Sequence, residues 1–402
     1  MRIVHLINNL GHIGGAELAL LRLLEGRGED DGEHRVVALL EADRLGPRFE
    51  SIGVPVHALA LARGGRFGAT VPGAGRAPGG FMRRLLPLLR GPAPDLYVGW
   101  MYFGNLAASA LGSWHGVPAL WNVRHSLHDD ARSGRSVKLA LSLSTSLSLQ
   151  PRRIVFNSAR SARQHIARGW PRERSIVVHA GTDTTRYRDD EELRTRARAN
   201  LGVDLQTPLL GRFGRDHPLK GHDLLLHAFA QLPALADVRA PVLVLGGREV
   251  DESNTRLVAL RDALGLAGRV RLLGECDDLP ALLPAFDLCV SSSHSESFPN
   301  VVAEAMACGV PCVVTDVGES AAVVGDTGWT VPPGDAAQLA RALGDAIAVQ
   351  ARNPGSRRAA ARARIVANFS ATSTVAAYAR LYRDCIDPAF TSDRAMTRGN
   401  TR

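Results

Sequence analysis

The sequence predicts an α/β fold of two domains, each an open parallel sheet wound with helices, and three observations carry that prediction. At 402 residues the chain exceeds one compact core and suits two domains of about 180 to 200 residues each. Short apolar runs alternate with helical patterns through both halves, the mark of parallel strand–helix units. Residues 285–316 contain one such unit in full: the apolar run AFDLCV, a polar loop, the helical stretch NVVAEAMAC and the β-branched run CVVTD.

In the first half, apolar runs predict strands at 2–7, 35–40, 54–58, 95–100, 119–123 and 153–157. Helices fill the gaps, beginning at 16–24. Residues 62–80, rich in Gly, Arg and Pro, read as a flexible loop before a helix at 81–89. The stretch LALSLSTSLSLQ (139–150) alternates like a strand, yet its length and its place between two strands argue for a helix, which is the expectation. The second half opens with a charged helix at 191–200, followed by strands at 208–213, 242–245, 270–273, 288–291 and 312–315. Pro299 suits a first helical turn, Gly309 suits a left-handed helix end, and Pro311 leads into the next strand. An amphipathic helix is expected at 372–386 and a polar, disordered tail at 387–402. The expected domains are 1–183 and 184–371, with the helix 372–386 packing back on the first.

Composition narrows the function classes. Met1–Leu10 alternates like a first strand and meets Asn8 and Asn9 too early to supply the apolar core of a signal peptide. No run of eighteen apolar residues exists, so no membrane span is expected. The five cysteines lie in the second half without metal-ligand spacing, which suggests a reduced, cytoplasmic compartment. The net charge is +8, and between residues 131 and 175 ten basic residues face a single acid, Glu173. That stretch reads as a solvated face, or as a surface for anionic lipid headgroups on the inner face of the membrane, or as a guide for an acidic acceptor. No nucleic-acid motif or interleaved aromatics accompany the arginines, and no nucleic-acid partner is expected.

The chemistry concentrates in residues 291–320, SSSHSESFPNVVAEAMACGVPCVVTDVGES, where Glu296 falls in the loop and Glu304 in the helix eight positions on. In open α/β sheets ligands settle beyond the carboxyl ends of the strands, and a helix start offers free N–H groups to a diphosphate. Carboxylates repel phosphate, so the partners read for Glu296 and Glu304 are sugar hydroxyls, the ribose for Glu304 and the transferred sugar for Glu296. GRFGRDHPLKGHDLL (211–225) places cations after the first strand of the second domain. Arg212 falls inside the predicted strand and suits a structural role, whereas Arg215 and Lys220 lie in the loop, a planar fork and a point charge for a diphosphate. The first βα turn, NNLGHIGGAE, lacks Gly-x-Gly-x-x-Gly spacing, which argues against a hydride-transfer enzyme.

These phrases resemble the retaining glycosyltransferases of family 4. ESFPNVVAEAMACGVPCVV is similar to that family's Glu-x7-Glu phrase, Arg215 and Lys220 to its Arg-x4-Lys pattern, and Gly14 and Gly15 to its GGAE loop. The resemblance extends to WNVRHSLHDD, where a histidine beside the transferred sugar is expected at His125, with Arg124 the alternative and His128 nearby. VVHAGTDTTRY resembles the family's interdomain phrase, with Ala180 in place of an asparagine. LVLGGRE, with Gly246 and Gly247, resembles the donor-domain turn, and GECDD the loop beside the base.

The resemblance implies a GT-B fold: two Rossmann-like domains facing across a cleft, with a C-terminal crossover helix. It implies a hexosyltransferase that takes a nucleoside diphosphate sugar, with a UDP-sugar the expected donor, and glycosylates a lipid-linked or polysaccharide acceptor with retention of configuration. Glu296, Arg215, Lys220 and His125 are the implied catalytic residues. Glu304, Gly246, Gly247, Phe298, Pro299, Asn300, Gly14 and Gly15 are the implied donor-binding residues. No cofactor or metal is expected, the basic pair doing the work magnesium does elsewhere. An epimerase of the same architecture and a non-catalytic sugar-nucleotide-binding protein are the alternatives.

Overall fold

The computed structural model describes residues 1–12, 14–60, 86–127, 134–233 and 238–387. The chain forms two compact units: Met1–Gly181 with the described residues from Thr374 onward, and Thr182–Ser373.

The first unit is a parallel sheet of seven strands: β1 (Arg2–Ile7), β2 (Glu33–Ala38), β3 (Val56–Ala58), β4 (Leu96–Trp100), β5 (Ala119–Val123), β6 (Arg153–Phe156) and β7 (Ser175–Val177), in the order β3-β2-β1-β4-β5-β6-β7. Strand order reverses between β1 and β4, so the loops after these two strands flank the switch point of the sheet. β4 and β5 are buried along their whole length, as strands covered on both faces must be. The ambiguous stretch is helical, over Arg135–Leu147, and buries Ala140, Leu141 and Ser144. Its partner is Trp170, whose indole N–H donates to Thr145 Oγ1 at 3.0 Å. The C-terminal helix Ala371–Ile386 sends Tyr378, Leu381, Tyr382 and Cys385 into the core of this unit beside Ile3, Leu20 and Trp100. Tyr378 OH donates to Asn122 Oδ1 at 2.6 Å, tying that helix to β5.

The second unit is a parallel six-stranded sheet: β8 (Leu209–Phe213), β9 (Val242–Gly246), β10 (Val270–Leu272), β11 (Leu288–Ser291), β12 (Cys312–Thr315) and β13 (Trp329–Val331), in the order β10-β9-β8-β11-β12-β13. Its switch point falls between β8 and β11. Leu210, Leu243, Leu288 and Val313 from four adjacent strands pack with Leu225, Phe229, Leu339 and Leu343 from the helices into one core.

Two strands, β7 and β13, escape the sequence reading; each is a short, partly exposed strand at the edge of its sheet. The expected loop at 62–80 and the tail beyond Asp387 lie outside the described residues, as does most of the helix expected at 81–89. Pro299 is corrected from the first helical turn to the N-cap, with φ −85° and ψ 78°, and the helix runs Asn300–Ala307. Asn300 N–H donates back to Phe298 O at 3.1 Å, which holds the chain in a turn until Asn300. Gly309 takes the left-handed conformation expected of it, φ +76°.

Candidate functional site

Three loops converge at the switch point of the second unit. The loop after β8 carries Arg215 and Lys220, the loop after β11 carries Glu296, and the turn after β9 carries Gly247. Lys220 Nζ meets Glu296 Oε1 at 2.6 Å, with both side chains largely shielded. Ser293 Oγ donates to the same carboxylate oxygen at 2.8 Å. Glu296 thus stands at the centre of the cluster.

The backbone of the β8 loop is held from several sides. His222, at the start of the helix His222–Ala230, faces Gly214 O at 3.1 Å and Arg215 O at 3.2 Å through Nε2. Two carbonyl acceptors require that nitrogen to carry the proton. Burial, and then the Arg212 guanidinium, pull the His222 imidazole down to about 4, so it is neutral at physiological pH. Asp216, next to Arg215, accepts from Arg256 at 2.6 Å and Asn254 at 2.8 Å, and its own N–H donates to Arg248 O. Arg215 itself is exposed, and its guanidinium has no partner among the described residues. A clamped backbone carrying a free cation suits the capture of an anion.

Gly247 (φ +139°) lies so close to this loop that a Cβ would fall 2.4 Å from Gly214 O, and Gly246 O accepts from Gly214 N–H at 2.8 Å. Gly318 (φ +59°) plays the same part beneath the acidic loop: its Cβ would lie 2.4 Å from Glu296 O and 2.6 Å from Ser297 O. Only glycine tolerates both the torsion and the approach.

The helix Asn300–Ala307 opens on Pro299 without a side-chain cap, so its first N–H groups face the loop uncapped by a side chain. Phe298 is buried and meets the Phe369 ring at 6.0 Å, an anchoring role. Glu304 is only 3% exposed. After burial, its charge is the next cause pushing the Cys308 thiol up to about 12, which places the carboxylate along the helix near Cys308. Arg212 lies within β8 as expected and is buried.

The sequence-derived residues of the first unit occupy the loops after β1 and β5. Gly14 is the N-cap of the helix Gly15–Glu25, and Glu17 Oε2 comes within 2.5 Å of where a Gly14 Cβ would stand. Burial raises the Glu17 carboxyl, and His12 pairs with it at 3.6 Å. Space around Gly15 is open. Arg124 lies over the Trp100 ring at 5.7 Å and hydrogen-bonds Tyr378, so it ties β5 to the core and the C-terminal helix. His125 packs edge-on against Tyr102, ring centres 5.0 Å apart. His128 lies outside the described residues.

Sequence reasoning overlooked His222 and Ser293. The available signals were the run SSSH directly after a strand and a histidine immediately after Lys220-Gly221.

Comparison with known proteins identifies the family and the fold. The family model described as glycosyl transferases group 1 matches residues 207–348, and that described as glycosyl transferase 4-like domain matches residues 14–181. D-inositol 3-phosphate glycosyltransferase of Mycobacterium tuberculosis is 36% identical over 241 residues, 58% of this chain and 49% of that protein. The match spans about half the length of that relative. Among solved structures, Anabaena HepE in complex with UDP and glucose superposes with TM-score 0.77 at 22% identity, covering 96% of this chain and 100% of that one. A glycosyltransferase from Rickettsia africae superposes with TM-score 0.76 at 15% identity, covering 96% and 99%. At such identities the structural likeness speaks for the fold.

Proposed function

The chain belongs to the group 1 glycosyltransferases and has their two-domain GT-B fold, and from that premise we propose that it transfers a hexose from a UDP-sugar to a hydroxyl of a lipid-linked or polysaccharide acceptor, with retention and without a metal. One observation carries the reading: Lys220, Arg215 and Glu296 gather at the β8/β11 switch point beside an uncapped helix start. Lys220, the Arg215 fork and the N–H groups at Asn300 would neutralise the diphosphate. Donor binding would draw Lys220 from Glu296 to phosphate and leave that carboxylate to accept from hexose hydroxyls, while Glu304 takes the ribose. Gly246 and Gly247 would admit the nucleotide close to backbone. That HepE was solved with UDP supports the choice of base.

Retention follows from attack on the face the leaving group vacates. The bond from the anomeric carbon to the phosphate oxygen breaks, the acceptor oxygen bonds to that carbon, and the acceptor proton passes to the departing phosphate. The basic pair stabilises the charge on that phosphate, the task a divalent cation performs elsewhere.

A lipid-linked acceptor accords with the surface of the first unit. Leu139 and Leu143 are 62% and 47% exposed on the helix Arg135–Leu147, beside exposed Arg135 and Lys138, and Leu149 beyond its end is 62% exposed. Among the described residues no helix is long and apolar enough to cross a membrane, so contact would be peripheral, with leucines entering the headgroup layer and cations meeting anionic lipid.

The testing experiment measures transfer from UDP-, GDP-, ADP- and dTDP-sugars, with Glu304→Ala and Lys220→Ala as variants. Both should lose transfer by at least about a hundredfold while unfolding at the wild-type midpoint. Wild-type turnover in either would refute the site. Conversion of donor to an altered sugar without acceptor would indicate the epimerase instead.

A further inference from the structure

We infer that Arg212 and Ser293 are positioning residues that set Glu296 and Lys220, an inference that rests on the reading of those two as sugar and diphosphate ligands. The Arg212 side chain is buried inside β8 and reaches three acceptors. Nη1 donates to Phe213 O at 2.7 Å, and Nη2 to Lys220 O at 2.6 Å and Ser293 Oγ at 3.4 Å. Ser293, fully buried, donates its one hydroxyl hydrogen bond to Glu296 Oε1 at 2.8 Å, and its oxygen accepts from Arg212. Thr315 Oγ1 donates to Ser293 O at 2.6 Å, so β12 fixes the serine backbone as well. Both ends of the Lys220–Glu296 pair therefore attach to one buried guanidinium: the lysine through its own carbonyl, the glutamate through a hydroxyl.

Stability alone would favour an apolar residue at this position. The neighbours Leu209, Leu210 and Phe213 are apolar and buried, and taking a cation out of water is expensive. Burial disfavours the charged guanidinium, and Glu296 is the first charge that offsets this. A fork of fixed donors is the feature that lysine or glutamine lacks, and here it is aimed at three points on the two site loops. Ser293 contacts the Glu296 carboxylate directly and Lys220 only through that carboxylate, so its loss should fall mainly on the sugar end.

The test uses the full chain and two probes, UDP-glucose and UDP, with dissociation constants measured by calorimetry. Ser293→Ala removes one hydroxyl and leaves the carbonyl bonds of Arg212 in place. It should reduce the preference for UDP-glucose over UDP by about tenfold, whereas a purely structural role would weaken both ligands alike. Glu296→Gln should reduce the same preference. Adding Ser293→Ala to Glu296→Gln should change it by less than about twofold, because the serine acts through that carboxylate. Arg212→Lys keeps a buried cation without the fork, and should weaken UDP itself several-fold through a displaced Lys220. An unchanged preference in Ser293→Ala, or a full additive loss in the double variant, overturns the inference. An unchanged preference in Glu296→Gln, or no binding of UDP-glucose by the wild type, overturns the site reading and the inference with it.

Discussion

Mild acid should destabilise both units, because each contains histidine held neutral by burial. In the second unit His222 is pulled down to about 4 from an ordinary 6.5. In the first, His34 is likewise pulled down to about 4, by burial and then by Arg27, against the pull of Asp31, while its partner His5 is driven well below the usual range. The geometry explains why a second proton is refused. Trp100 Nε1 donates to His5 Nδ1 at 3.2 Å, so His5 carries its proton on Nε2 and presents it to His34 Nδ1 at 2.9 Å. Charging either ring breaks that chain. Charging His222 places a second cation beside Arg212.

The sign follows from which state binds protons first. Below about pH 6.5 the unfolded chain protonates its histidines while the folded chain does not, so stability is complete above that pH and drains away down to about pH 4. For a group shifted by about 2.5 units the whole loss is about 3.4 kcal/mol, and at pH 5 it is about 2 kcal/mol. In a unit of this size, 2 kcal/mol lowers the melting temperature by about 4–8 °C. Glu17, raised by burial, acts in the opposite sense as pH falls. Lowered carboxylates such as Asp183 and Asp335 lose their contribution only in stronger acid. Scanning calorimetry at pH 7, 6 and 5 is the assay, with His34→Gln and His222→Gln as variants that flatten the slope. A melting temperature constant or rising from pH 7 to pH 5, or an undiminished slope in the double variant, refutes the reasoning.

The acidic loop should not tolerate a methyl group beneath it. Gly318→Ala forces a left-handed alanine against Glu296 O and Ser297 O, costing at least about 1–2 kcal/mol from torsion alone and reducing transfer more than stability; wild-type turnover would show that the loop can shift without harm. Asp287 precedes β11, at the opposite end of the strand from Glu296, and accepts from Arg194 at 2.6 Å, Arg198 at 3.2 Å and Leu209 N–H at 2.8 Å. Asp287→Ala leaves Arg198 buried and unpaired by a carboxylate, a loss of about 3–5 kcal/mol in urea unfolding, with UDP affinity unchanged wherever the protein remains folded. All five thiols are free, four of them buried, with Cys308 and Cys385 pushed up to about 12. Native protein should yield one thiol, Cys276, to Ellman's reagent before unfolding, and a second rapid thiol would contradict the packing.

Most strands of the two sheets could be read from sequence because a buried parallel strand is a mostly apolar run bounded by polar residues. β1, β5, β11 and β12 begin and end where the residues change character. β2 runs Glu33–Ala38, two residues earlier at both ends than the expected 35–40, because the polar pair Glu33-His34 joins the ladder with β1. His34 is polar by type yet buried, and it is satisfied there because His5, on the neighbouring strand, donates a hydrogen bond to its Nδ1. Periodicity reports which residues avoid water, and it says nothing of polar residues that satisfy one another.

The same limit separates what was readable in the candidate site from what was not. Glu296, Arg215 and Lys220 stand out because they are charged residues in loops at the ends of strands, where a ligand would lie. Arg212 was read as structural, since a strand interior is a poor place to meet substrate, and the structure does bury it. What sequence could not supply is the direction of its fork. Three acceptors scattered over residues 213, 220 and 293 become one cluster only when β8 and β11 pair, Leu288 beside Leu210 and Cys289 beside Gly211. That register brings the Ser293 loop beside the Lys220 loop, and a one-residue slip would turn Arg212 to the other face of the sheet. The pairing of two apolar strands thus determines which polar groups meet above them, so the sheet register is itself a condition of the site's chemistry.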